Sequence, residues 1–181
     1  KVGNDISQSS SWQWGLSHVN NRREALVEAH DPSAEVHSHA ASFSGKRMLI
    51  SDLVWKWAPD GNNRNQQLRL NWEHAQVSGI NRYADSSMHH RASSLGAVWK
   101  FNPAWETGVR TDWLRVQKPE DHGGDIEFSK GRLKENAIMI AYKPTHMQTL
   151  RLQLTQQRAS GANDEGEAVF SNPIRRSIQL Q

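Results

Sequence analysis

The stretch Ser51–Gly79, SDLVWKWAPDGNNRNQQLRLNWEHAQVSG, decides how this chain is read. Leu53, Trp55 and Trp57 fall on one parity, and Asp52, Val54 and Lys56 on the other. Pro59-Asp60-Gly61-Asn62 is a dense run of turn formers. Beyond it Leu68, Leu70 and Trp72 share one side, opposite Gln67, Arg69, Asn71 and Glu73. Successive strand side chains point to opposite faces, so the stretch is expected to be a β-hairpin with one apolar and one charged face.

The same alternation recurs on both sides. Upstream, Trp12, Trp14 and Leu16 alternate with Gln13 and Gly15, followed by a long polar segment, Asn20–Arg47, without a period. Downstream, Leu95, Ala97, Trp99 and Phe101 share a face, then Val109, Thr111 and Trp113, then Ile138, Ile140 and Tyr142. Leu150, Leu152 and Leu154 oppose Arg151, Gln153 and Thr155, and Ile178 and Leu180 open a last run. Short tips at Asp60–Arg64, Asn102–Glu106 and Pro144–Met147 alternate with long polar tips, including Gly79–Arg91, Lys118–Gly131 and Ser160–Pro173. About eight strands of about ten residues, with short turns on one side and long loops on the other, describe an all-β, antiparallel up-and-down transmembrane β-barrel. Loops above roughly a dozen residues count against a compact soluble domain. Aromatics near the short turns (Trp55, Trp57, Trp99, Phe101, Trp105, Tyr142) match the level of an interface belt.

Composition agrees. The chain has eight Trp yet a mean hydropathy of -0.78, a combination that suits a wet-centred barrel with aromatic girdles. No run of about eighteen apolar residues marks a membrane helix, whereas barrel strands need only about 9–11 residues and are half polar. The absence of cysteine removes disulfides and thiolate metal sites. A net charge of +3, with bases and acids interleaved, gives no case for nucleic acid as a partner. The start, KVGNDISQSS, has no initiator Met or apolar export segment. The chain is therefore expected to be one β-barrel region, residues 1–181, incomplete at both ends.

At Asp52–Asn62 (DLVWKWAPDGN), Phe101–Asp112 (FNPAWETGVRTD) and Leu150–Gln156, the sequence resembles the C-terminal part of a porin-like outer-membrane β-barrel family of Gram-negative bacteria. Its members go by the names of porins and of TonB-dependent or zinc-regulated outer-membrane receptors. The resemblance covers most of residues 48–181 and rests on turn and strand patterns. It implies a conduit for small solutes in the cell outer membrane, with outer-membrane lipid around it and a homo-oligomer as one arrangement. Such proteins end in a strand with a terminal aromatic, whereas this chain stops at Ile178-Gln179-Leu180-Gln181. The sequence shows no plug domain and no TonB-box-like segment.

On the barrel reading the charged parity lines the lumen: Asp52, Lys56, Arg69, Glu73, Lys100, Arg110, Asp112 and Arg151. Bases outnumber acids there, which favours anionic solutes weakly; the plainer account is cross-strand ion pairing that keeps the wall wet. Six of the nine histidines, His30, His37, His39, His89, His90 and His122, fall in the long tips. His37 and His39 share one side of an extended segment, and with His89 and His90 they are the candidate ligands for a Zn²⁺ ion. No GxSxG, HExxH or phosphate-loop motif is present, and no enzyme is expected. A structural or adhesion barrel, a metal-linked receptor barrel and a soluble β-barrel binding protein are the alternatives.

Overall fold

The computed structural model describes residues 1–21, 45–80, 87–122, 125–145, 147–162, 170 and 174–180, with backbone alone for 118–122 and 125–127. Nine strands follow one another: β1 (Val2–Ser7), β2 (Ser10–Asn20), β3 (Arg47–Trp57), β4 (Gln67–Ser78), β5 (His89–Asn102), β6 (Trp105–His122), β7 (Asp125–Thr145), β8 (Gln148–Ser160) and β9 (Ile174–Leu180). They form a single sheet in sequence order, each pair antiparallel. The sheet is open, with β1 and β9 as its two edges.

The turns are where local chemistry dictates them. Between β3 and β4, Pro59–Gly61 makes a short 3-10 turn, with Asp60 and Gly61 at φ of 53° and 69°. Left-handed backbone favours glycine, and Asp is among the few other residues that tolerate it. Between β5 and β6, the Asn102 side chain accepts the N–H groups of Ala104 and Trp105, each at 2.9 Å, which closes the tight connection.

Two sequence expectations need correction. The strand count is nine, because Val2–Ser7 pairs with β2 in register from Val2↔Trp14 to Ser7↔Ser10. Six residues with two apolar ones carry too weak a period to announce a strand; the neighbour's free edge makes it one. The third long tip, Lys118–Gly131, is strand through most of its length. Register between β6 and β7 continues from Gln117↔Lys130 to His122↔Asp125. A Gly-Gly pair between two runs is a hairpin signal, here concealed by the polar composition around it.

Burial in the sheet is inverted relative to a water-soluble fold. On one face Val109, Ile138 and Leu150 are 56%, 55% and 57% exposed, and Leu53, Leu70, Leu95, Leu152 and Leu154 are exposed with them. On the opposite face Ala137 and Ala141 are 6% and 1% exposed, and Gly96 and Gly108 are buried. Among the described residues the buried hydrophobics are Ala58, Ile80, Ala137 and Ala141, so no layer of large side chains covers the sheet. That second face carries Gly where neighbours lean across it: a Cβ at Gly96 would stand 2.8 Å from Asn71 Oδ1, and one at Gly15 would strike the Asp52 carboxylate.

Parity reverses towards the long-loop end. Beyond the row Ser93↔Trp113↔Lys134, the face that was apolar bears Arg91, Arg115 and Arg132. The opposite face there turns apolar, with half-buried Ile50, Ala75, Ala92, Leu114 and Leu133. The strands run on unbroken. Only the identity of the greasy side changes.

Candidate functional site

All eight sequence-derived lining residues, Asp52, Lys56, Arg69, Glu73, Lys100, Arg110, Asp112 and Arg151, stand on the one face with Gly15, Gly96, Gly108 and Ala137. An open cavity of about 650 Å³ on this face lies between Lys1, Asp52, Arg69, Glu73, Arg110 and Arg151. Side chains from β3, β4, β6 and β8 thus border one space, and the sheet curls around it.

Register sorts these charges by height. Asp52↔Glu73↔Ser94↔Asp112↔Glu135 is one row across five strands, and four of its members are acids. Nearer the short turns, Lys56 lies directly opposite Arg69, and Lys100↔Glu106↔Ala141↔Arg151 forms the next row down. Like charges facing each other across a pair are destabilising unless water or an opposite charge intervenes. Arg110 supplies one such charge to the acidic row: its Nε lies 2.7 Å from Asp112 Oδ2 and its Nη2 lies 2.8 Å from Glu135 Oε1. Lys1 Nζ approaches Asp52 Oδ1 at 3.6 Å, and Lys143 Nζ donates to Glu106 Oε2 at 2.7 Å. Arg151 Nε is enclosed and meets no hydrogen-bond acceptor among the described residues.

Sequence reading missed Glu106, Glu135, Lys143 and Arg175 on this face. Glu106 and Glu135 occupy the right parity, and counting parity back from Val109 and Ile138 finds both. Arg175 is placed only by its register partner Gln157.

The opposite face carries aromatics at two heights. Near the short turns, Trp57 and Trp99 lie with ring centroids 6.4 Å apart, and Trp105 and Tyr142 at 4.7 Å. Trp14 and Trp72 belong to one upper row, since both are in register with Leu53, and Trp113 stands one row beyond. Indole N–H groups on this face find hydroxyl partners, Trp14 on Ser51 Oγ at 2.9 Å and Trp55 on Ser10 Oγ at 2.8 Å.

The candidate zinc ligands do not come together in the described residues. His89 and His90 open β5, which corrects their placement in a loop, and as neighbours in a strand they leave it on opposite faces. His37 and His39 lie outside the described residues. Among the described residues no group of three or more His, Asp or Glu side chains is placed to hold a metal. His90 is buried, and its Nδ1 accepts the Gln117 backbone N–H at 3.1 Å. It stands above the aromatic rows, where burial pushes its imidazole below the ordinary histidine pKa.

Comparison with protein families, with curated proteins and with solved structures finds no match to this chain.

Proposed function

We propose that this chain forms part of the wall of a porin-like β-barrel in the outer membrane of a Gram-negative bacterium, enclosing a wet lumen through which small solutes pass. The inversion of burial carries the reading. A continuous face of exposed Leu, Ile, Val and Trp far exceeds the few hundred Å² that soluble monomers leave open. Against hydrocarbon that face has no reason to be covered, while the charged face keeps its water. The dimensions are compatible: Trp105 to Trp113 on β6 spans about 27 Å along the strand at about 3.4 Å per residue, or about 20 Å across the bilayer at a tilt of about 40°, against the roughly 25 Å apolar band of outer-membrane barrels. Aromatics at both limits of that span fit the two interface girdles. Both open edges need further strands, of this or another polypeptide, because hydrocarbon cannot solvate unpaired backbone.

Solutes would meet stacked basic and acidic rows, with the Arg151 Nε–H placed to donate a hydrogen bond to an anion's oxygen. A weak preference for anionic solutes follows. Planar-bilayer conductance of the purified protein tests the reading, with discrete channel steps expected and reversal potentials in a salt gradient leaning towards anions. Absence of any conductance or solute-dependent liposome swelling would mark a sealed structural barrel instead, and clear cation selectivity would overturn the anion preference.

A further inference from the structure

On the outward face of β5–β9, Arg91, Arg115 and Arg132 stand one row above Trp113, Lys134 and Arg158 share the Trp113 row, and Arg176 shares the row of Trp72. Register makes three of them immediate neighbours, Arg91↔Arg115↔Arg132, and sets Lys134 opposite Arg158. All six are exposed. Among the strand residues of β3–β7 whose side chains are described, the carboxylates lie on the other face: Asp52, Glu73, Glu106, Asp112 and Glu135. Among the described residues no acid pairs with Arg91, Arg115, Arg132 or Arg158, while Lys134 Nζ sits 5.9 Å over the Trp113 ring. A depression of about 910 Å³ is bordered by His74, Arg91, Trp113, Arg115, Arg132 and Arg158. An ordinary solvated strand face mixes signs, because like charges directly opposed across a ladder are destabilising. Three arginines side by side on adjacent strands want an anion with several acceptor oxygens, and guanidinium forks match phosphate in a bidentate manner.

We propose that this row is a binding site for the phosphate groups of lipid headgroups in the leaflet on the long-loop side. The inference rests on the membrane reading above, which puts the Trp72 and Trp113 level at the edge of the hydrocarbon. The cations then stand at headgroup height, on the face that touches lipid. Long loops lie on the extracellular side of such barrels, so the ligand belongs to the outer leaflet. Snorkelling Arg and Lys stems cover apolar surface beneath while their charged ends reach the phosphates.

The test is flotation of the full chain, released from zwitterionic detergent, with phosphatidylcholine vesicles and with vesicles also containing phosphatidic acid. Flotation with pure phosphatidylcholine reports the membrane reading alone; the extra binding conferred by phosphatidic acid reports the arginine row. A basic side chain at an anionic lipid surface strengthens binding roughly fivefold, so Arg91→Gln, Arg115→Gln and Arg132→Gln together should cut that extra binding about a hundredfold. The triple Arg→Lys variant, which keeps the charge, should retain most of it and serves as the folding control. Unchanged extra binding in the triple Gln variant would overturn the proposal while leaving the membrane reading intact. Complete competition by millimolar inorganic phosphate would overturn it in favour of a free-anion site. A chain that stays folded in buffer and floats with neither vesicle would overturn the membrane reading and this inference together.

Discussion

The same strands behave as two different materials along their length. Between the Trp105 level and the Trp113 level, β4–β8 show apolar side chains outward and charges inward. Above Trp113 the outward parity bears arginine and the inward parity bears Leu114, Leu133, Ala75 and Ala92. Backbone pairing is indifferent to this change, since register runs straight through it from Val109↔Ile138 to Gln117↔Lys130. Each half is legible only by asking what lies outside it. On the proposed membrane reading, the lower part faces hydrocarbon and the upper part faces water and headgroups. On that reading the row Ser93↔Trp113↔Lys134 would be the boundary between the two solvents.

The sharpest way to break this contrast is to place a charge on the outward face of each half. Val109→Arg, midway between the aromatic levels, should destabilise the bilayer-embedded protein by about 2–4 kcal/mol, as a cation at the bilayer midplane does. Ser160→Arg, in the row of Arg132 above the boundary, should change stability by no more than about 0.5 kcal/mol, as exposed substitutions do. Urea unfolding of the protein from vesicles, followed by Trp fluorescence, measures both. Equal costs at the two sites would erase the distinction.

A smaller effect probes the inward side. Leu133→Ala removes a half-buried apolar side chain from the upper part and should cost about 1–2 kcal/mol, roughly half of what a fully buried leucine loses. The matching truncation Leu150→Ala on the lower outward face should cost less, because that side chain is 57% exposed. Unfolding midpoints in the same vesicles would rank them.

The smallest expected effect is on pH. His90 in the upper part is held neutral as an acceptor from Gln117, and its folded pKa is depressed by burial. Protonation would turn Nδ1 into a donor and break that bond. The sign follows: stability is complete above the ordinary histidine pKa of about 6.5 and is lost as pH falls below it towards the depressed folded value. Unfolding midpoints between pH 7.5 and 5.5 should therefore decline, and His90→Gln should flatten the part of that decline due to this ring. An undiminished slope in the variant would assign the pH dependence elsewhere.

Several of these features were readable from residue order. The parity of Leu53, Trp55 and Trp57 against Asp52 and Lys56 gave the hairpin, and Pro59–Asn62 and Asn102–Trp105 gave its kind of turn. Eight charged residues were assigned to a common face and share one. The misses have physical causes. Val2–Ser7 has almost no period of its own and exists as a strand because β2 offers it an edge. Lys118–Gly131 reads as a loop because its polar run carries no apolar alternation, while backbone pairing between β6 and β7 needs none. His89 and His90 read as loop residues because polar runs at a strand's start look like its preceding tip.

Residue order by itself determined the alternation, the turns and the membership of each face, because side-chain direction in a strand depends only on odd or even position. Tertiary structure alone decided which rows align. Arg91, Arg115 and Arg132 are distant in sequence, as are Asp52, Glu73, Asp112 and Glu135, and only the hydrogen-bond register between strands makes neighbours of them. The reversal of parity above Trp113 is written in the order of β6, where Leu114 falls on the parity of Asp112 and Arg115 on that of Trp113. Only register shows that Ala92 and Leu133, and Arg91 and Arg132, share it.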